Sequence, residues 1–199
     1  MQLSRKSGEY KDMKKIITIF TIWSMVNALN AQTIKQIFQT LPDTILPSLT
    51  KNDRLDLMDL IENNMKNEVT NQLRGKSRMT HLSTNLTKIR LSELAEVQLC
   101  KLPTPDSYLI CFIHSVKTDA WDSTIRLYNP DWTIAEAPSI SPKGVSSEEA
   151  DFLHYDFNNE TTLSLSTASI VRSTSGELSI KEGEGTTIHW DSTQSRFVH

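Results

Sequence analysis

The sequence predicts an α+β protein whose N-terminal helices pack on a largely antiparallel β-sheet. Apolar residues recur with helical spacing within residues 32–75, whereas alternating and continuous apolar runs occupy residues 79–199. No helix alternates with these later strands, which disfavours a parallel sheet of βαβ units. We therefore expect one domain over residues 32–199, helical over 32–75 and mainly β over 79–199.

The N-terminal residues 1–31 predict a secretory signal peptide. Two lysines precede an uncharged run over 16–29, and the small residue Ala31 stands just before Gln32. The run is shorter than the roughly 20 apolar residues of a membrane-spanning helix. Met13 is an alternative start of the chain. Because no cysteine follows the junction, we expect a periplasmic or secreted protein without a lipid anchor and without stable membrane insertion after cleavage.

The composition narrows the classes of partner. Residues 1–31 hold five basic and two acidic residues, so their removal changes the formal net charge from −3 to −6. An acidic chain without a basic patch argues against nucleic acid as a partner. The sequence also has no glycine-rich phosphate-binding motif. We therefore expect no nucleic acid partner and no cofactor.

The residues after the junction predict two helices. The first has an apolar face formed by Ile34, Ile37, Phe38 and Leu41. Thr50 with Asp53 resembles a capping box, and it opens a longer helix over 52–72. The apolar face of this helix is formed by Leu55, Met58, Ile61, Met65 and Val69. Gly75 is expected to end the helix as a C-terminal cap.

The pattern changes to strands from about residue 79. The segments "NLTKIRLSELAEVQLCKL", "SYLICFIHSV" and "STIRLYNPDWTI" predict strands, and the continuous apolar run of the second suits a central position. Ser146 with Glu149 resembles another capping box, which predicts a short helix carrying Phe152 and Leu153. The segments "TTLSLSTASIV", "GELSIKE", "GTTIHWD" and "RFVH" predict further strands separated by turns.

The only two cysteines, Cys100 and Cys111, flank the predicted tip of a β-hairpin. If Pro103 pairs with Tyr108 across the turn, Cys100 faces Cys111 on the neighbouring strand. Cross-strand partners can be close enough for a disulfide, and an exported protein folds in a compartment that permits one. The alternative is that both cysteines are small buried apolar side chains.

Several short stretches of the chain resemble a known family. They are Ile37-Phe38, Pro42-Asp43, Leu46-Pro47, Leu49, "NDRLDLMD", "NQLRG", "DSTIRLY" and Asp131-Trp132. Together with the Ala31-Gln32 junction, these stretches resemble an uncharacterised family of exported proteins from Bacteroidales, domain of unknown function 3256. The resemblance implies an exported protein without an assigned activity, and it supplies no catalytic residues.

Arg54 lies near the apolar side of the second predicted helix, an unusual position for a charged residue. It is a candidate to bind a carboxylate of the chain, such as Asp43, or to contact a partner. The alternative, which is the more common arrangement, is an arginine whose stem packs while its head group reaches water.

Three tryptophans stand beside an aspartate and near a turn. They are Trp121, which precedes Asp122, Trp132 and Trp190. Exposed aromatic rings beside polar groups suit the binding of sugars or peptides. The alternative, which is more common, is that each ring closes one end of the sheet core. We take Trp121, Asp122 and Trp132 as candidate binding residues, together with Arg54.

The five histidines lack the spacing of a metal site, and no nucleophile motif accompanies them. We therefore expect a non-catalytic module that binds an envelope protein or a glycan, without a catalytic residue, metal or cofactor. The rival expectation is an envelope hydrolase whose site assembles at strand ends near Trp121, Asp122 and His189. A third expectation, a structural subunit, predicts an exposed apolar patch or sheet edge that a partner covers.

Overall fold

The computed structural model describes residues 32–136, 150–183 and 185–199. The predicted signal peptide lies outside these residues, and so do Ser146 and Glu149, which are predicted to open a short helix. Within the described ranges the chain is mostly antiparallel β, with two short helices that precede the strands. No described helix is long and apolar enough to cross a membrane. The expected antiparallel character is confirmed, although the strands form two sheets rather than one.

Both helices begin at a threonine capping box. Helix α1 spans Ile34–Thr40 and helix α2 spans Lys51–Glu62. The predicted box of Thr50 and Asp53 is present, and Thr33 begins α1 in the same way. Each box gives partners to backbone N–H groups that the first turn of a helix leaves free.

Helix α2 is shorter than predicted, because it ends at Glu62 rather than near Gln72. Asn64 has a φ of 53°, a left-handed conformation that asparagine tolerates, and it turns the chain away from the helix axis. As a result Met65 is 60% exposed and Val69 lies on a strand. The predicted apolar face was therefore wrong beyond the third turn of the helix.

The first sheet is a six-stranded antiparallel meander in which each strand pairs with the next along the chain. Its strands are β1 Glu68–Thr70, β2 Lys76–Leu82, β3 Leu86–Ser92, β4 Ala95–Pro103, β5 Tyr108–Lys117 and β6 Trp121–Tyr128. Strand β5 lies between β4 and β6, an interior position that agrees with its continuous apolar run. Gly75 lies in the β1–β2 turn rather than at a helix end, and its N–H donates to Asn71 Oδ1.

The second sheet follows in sequence and is also antiparallel. Its strands are β7 Phe152–Asn159, β8 Thr162–Arg172, β9 Leu178–Glu182, β10 Thr186–Asp191 and β11 Arg196–Val198. The strand order is β11-β10-β8-β7, and β9 pairs with the remaining length of β8. The four predicted C-terminal strands are confirmed. Phe152 and Leu153, predicted on a helix, lie instead on β7, where Leu153, Tyr155 and Phe157 alternate with polar residues.

Two hydrophobic cores contain residues from opposite faces of the first sheet. The first core combines helical residues with the sheet: Ile34, Ile37, Phe38, Leu57 and Met58 with Met79, Ile89, Leu91, Val97, Leu99, Ile110 and Phe112. The second core combines the two sheets: Leu86, Cys100, Leu102, Cys111, Ile113 and Leu127 with Tyr155, Phe157, Leu163, Leu165, Ile188 and Trp190. Both faces of the first sheet are therefore buried over much of its length.

One edge of β7 pairs with none of the described strands, and it contacts side chains of the first sheet. Gln98 Oε1 accepts from the Phe157 N–H at 3.0 Å, and Ser123 Oγ accepts from the Tyr155 N–H at 3.2 Å. Gln98 is only 1% exposed, so its bond with the Phe157 N–H forms where water cannot replace it. Strand β7 is thereby fixed against strands β4 and β6.

Candidate functional site

The two faces of β7 lie in different surroundings. Tyr155 and Phe157 point into the second core. His154 and Asp156 point to the opposite side because neighbouring residues of a strand alternate in direction. On that side Lys88 Nζ lies 2.7 Å from Asp156 Oδ1, and Trp121 packs on His154. This polar side of β7 borders a cleft.

The cleft lies between the start of β6 and the outer face of the second sheet. Its volume is about 400 Å³, which is within the range of small-ligand pockets. The lining residues are Lys117, Asp119, Ala120, Trp121, His154, Ser166, Thr167, Ala168, Ile180, Glu182 and Gly183. They come from the β5–β6 turn and from strands of both sheets, so the cleft exists only in the folded chain.

The Trp121 side chain is held by stacking on His154. The ring centroids are 5.6 Å apart and the planes are inclined by 20°. Trp121 is the first residue of β6 and lies directly opposite Lys117 of β5. The ring is partly exposed and fixed in orientation, so it offers a flat apolar surface at a low cost in conformational entropy.

An acidic group lies beside the stacked pair. Glu96 Oε1 is 3.7 Å from His154 Nε2, which is longer than a hydrogen bond. The contact with His154 lowers the pKa of Glu96, burial opposes this shift, and Lys88 and Arg90 add to it. Glu96 is therefore ionised at neutral pH and adds a negative charge next to the cleft.

Asp122 does not point its carboxylate into the cleft. Its Oδ1 accepts from the backbone N–H of Leu153 at 3.1 Å. This bond gives the start of β7 a partner on the edge where no described strand pairs with it. The structure therefore places Asp122 beside the candidate site as a residue that positions β7.

Trp132 packs against the first core rather than in the cleft. Its ring centroid is 5.7 Å from that of Tyr128, and its Nε1 donates to Thr40 Oγ1 at 3.5 Å. Trp190 is buried in the second core. The structure thus separates the three tryptophans, and Trp121 is the one that lines the cleft.

Arg54 is buried, with 2% of its side chain exposed. Its Nη1 donates to Asp43 Oδ1 at 2.9 Å and to the Leu49 carbonyl at 2.6 Å, and Nη2 donates to the Leu41 carbonyl at 2.7 Å. The contact with Asp43 was one of the predicted alternatives. The other prediction, a head group exposed to water, was wrong. Arg54 holds the loop between the helices, so we do not place it on a binding surface.

Cys100 and Cys111 are direct partners on β4 and β5, and Pro103 is opposite Tyr108, so the predicted hairpin register is confirmed. Both cysteines are fully buried free thiols in the second core, and Cys100 Sγ donates to the Glu160 carbonyl at 3.2 Å. Burial raises the pKa of both thiols. The disulfide that this register allows is absent from the structure.

The site expected for a hydrolase is not assembled as predicted. His189 Nδ1 lies 3.1 Å from Thr162 Oγ1 at the start of β8, whereas Trp121 stacks on His154, which is opposite Ser166. Thr162 and Ser166 are four residues apart on one strand, or about 13 Å. Among the described residues, no group of three or more His, Cys, Asp or Glu side chains could hold a metal ion.

Sequence reasoning missed His154, Glu96 and Ile180 as members of the site. The alternation of "FLHYDFNN" contains a usable signal, because it places His154 on the face opposite Tyr155 and Phe157. The alternation was not recognised, because the residues Phe152 and Leu153 were predicted to lie on a short helix. No local signal brings Glu96 or Ile180 near Trp121, since each lies on a different strand.

The two sheets define a mostly antiparallel β protein, and a cleft of small-ligand size lies at the start of β6. The chain belongs to the family described as "Protein of unknown function (DUF3256)", whose model matches residues 26–174. The family resemblance of the short sequence stretches is thereby confirmed.

Comparison with solved structures shows the same fold in a bacterial protein. The "Structure of a domain of an uncharacterized protein from Porphyromonas gingivalis W83" matches with a TM-score of 0.62 and 19% identity. The match covers 83% of this chain and 96% of that chain. No curated protein matches. The chain therefore has a family and a fold, but neither brings an activity with it.

Proposed function

We propose that this protein is an exported, non-catalytic binding module of the periplasm or the cell exterior, and that it takes an envelope protein segment in the cleft beside Trp121. The observation that carries the proposal is the cleft of about 400 Å³ with the stacked Trp121–His154 pair on its wall. Clefts with an aromatic surface and a few polar groups are the usual form of binding sites.

The apolar part of the surface supports a polypeptide ligand. Ile180 lines the cleft, and Ile170 lies directly opposite it on β8. Ile170 is 43% exposed, and Leu178, which faces the same side, is 58% exposed. An exposed apolar strip that continues from a binding cleft marks an interaction surface.

The polar part of the surface allows a glycan as the alternative ligand. Asp119, Glu182 and Ser166 line the same cleft as Trp121. Carboxylates and hydroxyls accept hydrogen bonds from sugar hydroxyls, while an indole face packs on the apolar side of a sugar ring. The acidic groups disfavour an anionic ligand of either kind.

Export is the second part of the proposal, and the N-terminal sequence supports it. The basic residues, the uncharged run over 16–29 and the Ala31-Gln32 junction have the order of a signal peptide. We expect the protein isolated from the native periplasmic or extracellular fraction to begin at Gln32. N-terminal sequencing of that material, with the cytoplasmic fraction as the control, measures this directly. A mature protein that begins at Met1 or Met13 would contradict export by this route.

An envelope hydrolase is the alternative function, and one observation favours it. Ser166 is directly opposite His154 on the neighbouring strand, and Glu96 lies 3.7 Å from His154. These residue types can form a nucleophile, a base and an orienting acid, although Ser166 and His154 make no hydrogen bond here. A hydrolase would lose its activity on ester or peptide substrates in a Ser166→Ala variant, whereas a binding module would keep its ligand affinity.

The test of the binding proposal is capture from the native envelope fraction by the tagged full-length protein, with chemical crosslinking and mass spectrometry. We expect a reproducible protein partner whose recovery falls at least tenfold in a Trp121→Ala variant. Leu73→Ala is the matched control, because Leu73 is 80% exposed in the β1–β2 turn and lies outside the cleft. If the partner is recovered equally with both variants, the cleft takes no part in the interaction.

A further inference from the structure

Strand β9 differs from the other strands at the sheet edges that the structure describes. β1 and β11 are edge strands of three residues each. The outer N–H groups of β7 donate hydrogen bonds to the side chains of Gln98, Ser123 and Asp122. The edge of β6 is partly covered, because the Ala135 N–H donates to the Leu127 carbonyl. β9 has five residues, all of them exposed, and among the described strands it pairs only with β8. A free edge of this length is a template for another strand.

The hydrogen bonds of β9 show which backbone groups point outward. Gly183 N–H donates to the Thr167 carbonyl, and the Glu177 carbonyl accepts from Ser173 N–H, so odd-numbered residues face β8. Consistent with this, the N–H of Ile170, the partner of Ile180, donates to Asp151 on the far side of β8. The N–H and C=O groups of Leu178, Ile180 and Glu182 therefore point away from the sheet.

We propose that β9 pairs with β9 of a second copy of this chain, antiparallel and with the two-fold axis at Ile180. In this register Ile180 faces Ile180 of the second copy, Leu178 faces Glu182, and Ser179 faces Lys181. Each of the three outward-facing residues exchanges two main-chain hydrogen bonds with its counterpart. No like charges stand directly opposite one another.

Other registers with the same hydrogen-bond phase are less favourable. An axis at Glu182 would place two carboxylates directly opposite each other. An axis at Leu178 would run the ladder into the turn at Gly176, whose φ of 86° is not that of a strand. The register at Ile180 also aligns Ile170 and Ile180 of both copies in one row across four strands, because Ile170 and Ile180 are partners within each copy.

The dimer would be weak, because two five-residue edges bury less surface than a stable dimer needs. The geometry of the dimer would also affect ligand binding, and this statement alone rests on the proposed function. Ile180 lines the cleft, and a two-fold axis perpendicular to the sheet keeps the same face of both copies on one side. Both clefts would open on that side, so a partner with repeated segments would be bound bivalently.

The experiment uses the full-length protein with the substitution Ile180→Cys. Cys100 and Cys111 are the only native cysteines and are fully buried, so the introduced thiol is the accessible one. Thiol–disulfide exchange with oxidised glutathione joins the introduced thiols of two copies and releases two glutathione thiols. We expect Ile180→Cys to form a covalent dimer at least tenfold faster than Leu178→Cys, since counterparts at position 178 lie four residues apart along the paired strands.

Leu178→Cys is a stringent control because Leu178 is 58% exposed and Ile180 is 37% exposed, so random collision would favour position 178. Sedimentation velocity over a range of concentrations gives the second measurement. We expect a concentration-dependent dimer that is lost in Ile180→Lys, where two ammonium groups would face each other. Monomers at every concentration, equal crosslinking at both positions, or a dimer unaffected by Ile180→Lys would each overturn the proposal. None of these results depends on whether the cleft binds a ligand.

Discussion

The two faces of strand β7 differ in what surrounds them. On one face Tyr155 and Phe157 are 4% and 1% exposed and pack among apolar residues of both sheets. On the other face His154 and Asp156 contact an indole ring, a carboxylate and an ammonium group at the border of the cleft. The same strand thus contributes to the hydrophobic core and to the candidate site.

The difference between the two faces of β7 separates residues that stabilise the fold from residues that are available for binding. Burial of apolar area stabilises the inner face, whereas partly exposed charge pairs contribute little to stability. Substitutions on the inner face should therefore unfold the protein. Substitutions on the cleft face should leave the fold intact and change what it binds.

The largest expected effect is that of Phe157→Ala. Removal of a fully buried aromatic ring from the second core costs about 3–5 kcal/mol of unfolding free energy. Urea unfolding followed by circular dichroism measures the loss. His154→Ala, on the other face of the same strand, is the matched control and should cost about 1 kcal/mol or less. A loss of equal size for the two variants would refute the distinction between the faces.

The next effect tests how β7 is fixed to the first sheet. Gln98→Ala removes the acceptor for the buried Phe157 N–H, and the unfolding free energy should fall by about 1–3 kcal/mol. Hydrogen exchange of that amide should become faster in the variant, while amides in the β2–β3 pair keep their protection. If the Phe157 amide keeps its full protection without Gln98, another group must hold this edge.

A smaller effect concerns the pH dependence of the cleft face. The contact with His154 lowers the pKa of Glu96 from its ordinary value of 4.5, with burial acting against the shift. A carboxyl whose pKa is lower in the folded chain stabilises that chain above the unfolded pKa, and the stabilisation is lost as the pH falls through the folded pKa. We therefore expect the stability difference between wild type and Glu96→Gln to shrink below pH 4.5.

At neutral pH that difference should be under about 1 kcal/mol, because solvent screens a partly exposed pair. Urea unfolding at a series of pH values measures it, and Glu93→Gln in the exposed β3–β4 turn serves as the control. A difference that grows as the pH falls below 4.5 would show that the pKa of Glu96 is raised instead.

The smallest expected effect is the coupling between Lys88 and Asp156. Their charged atoms are 2.7 Å apart, but both side chains are partly exposed. A double-mutant cycle with Lys88→Ala and Asp156→Ala should give about 0.5 kcal/mol, and added salt should reduce it. A coupling above about 2 kcal/mol would place this pair among the groups that hold the fold.

The sequence predicted the structure correctly where that structure depends on residues that are neighbours along the chain. The Thr50–Asp53 capping box, the C-terminal strands and the facing of Cys100 and Cys111 were all predicted, because a cap, a period of two and a hairpin turn involve residues close in sequence. The helix end at Glu62 was missed, since the apolar spacing continues beyond it while Asn64 turns the chain.

The candidate site was predictable only in part, through Trp121. Its partners His154 and Glu96 and the wall at Ile180 come from three other strands, so nothing near Trp121 in sequence indicates them. The sequence by itself determined the helix caps, the C-terminal strands, the family and the hairpin register, since these depend on short-range spacing. The tertiary structure alone decided which side chains lie beside Trp121 and which tryptophan borders a cleft, because both depend on how the two sheets pack.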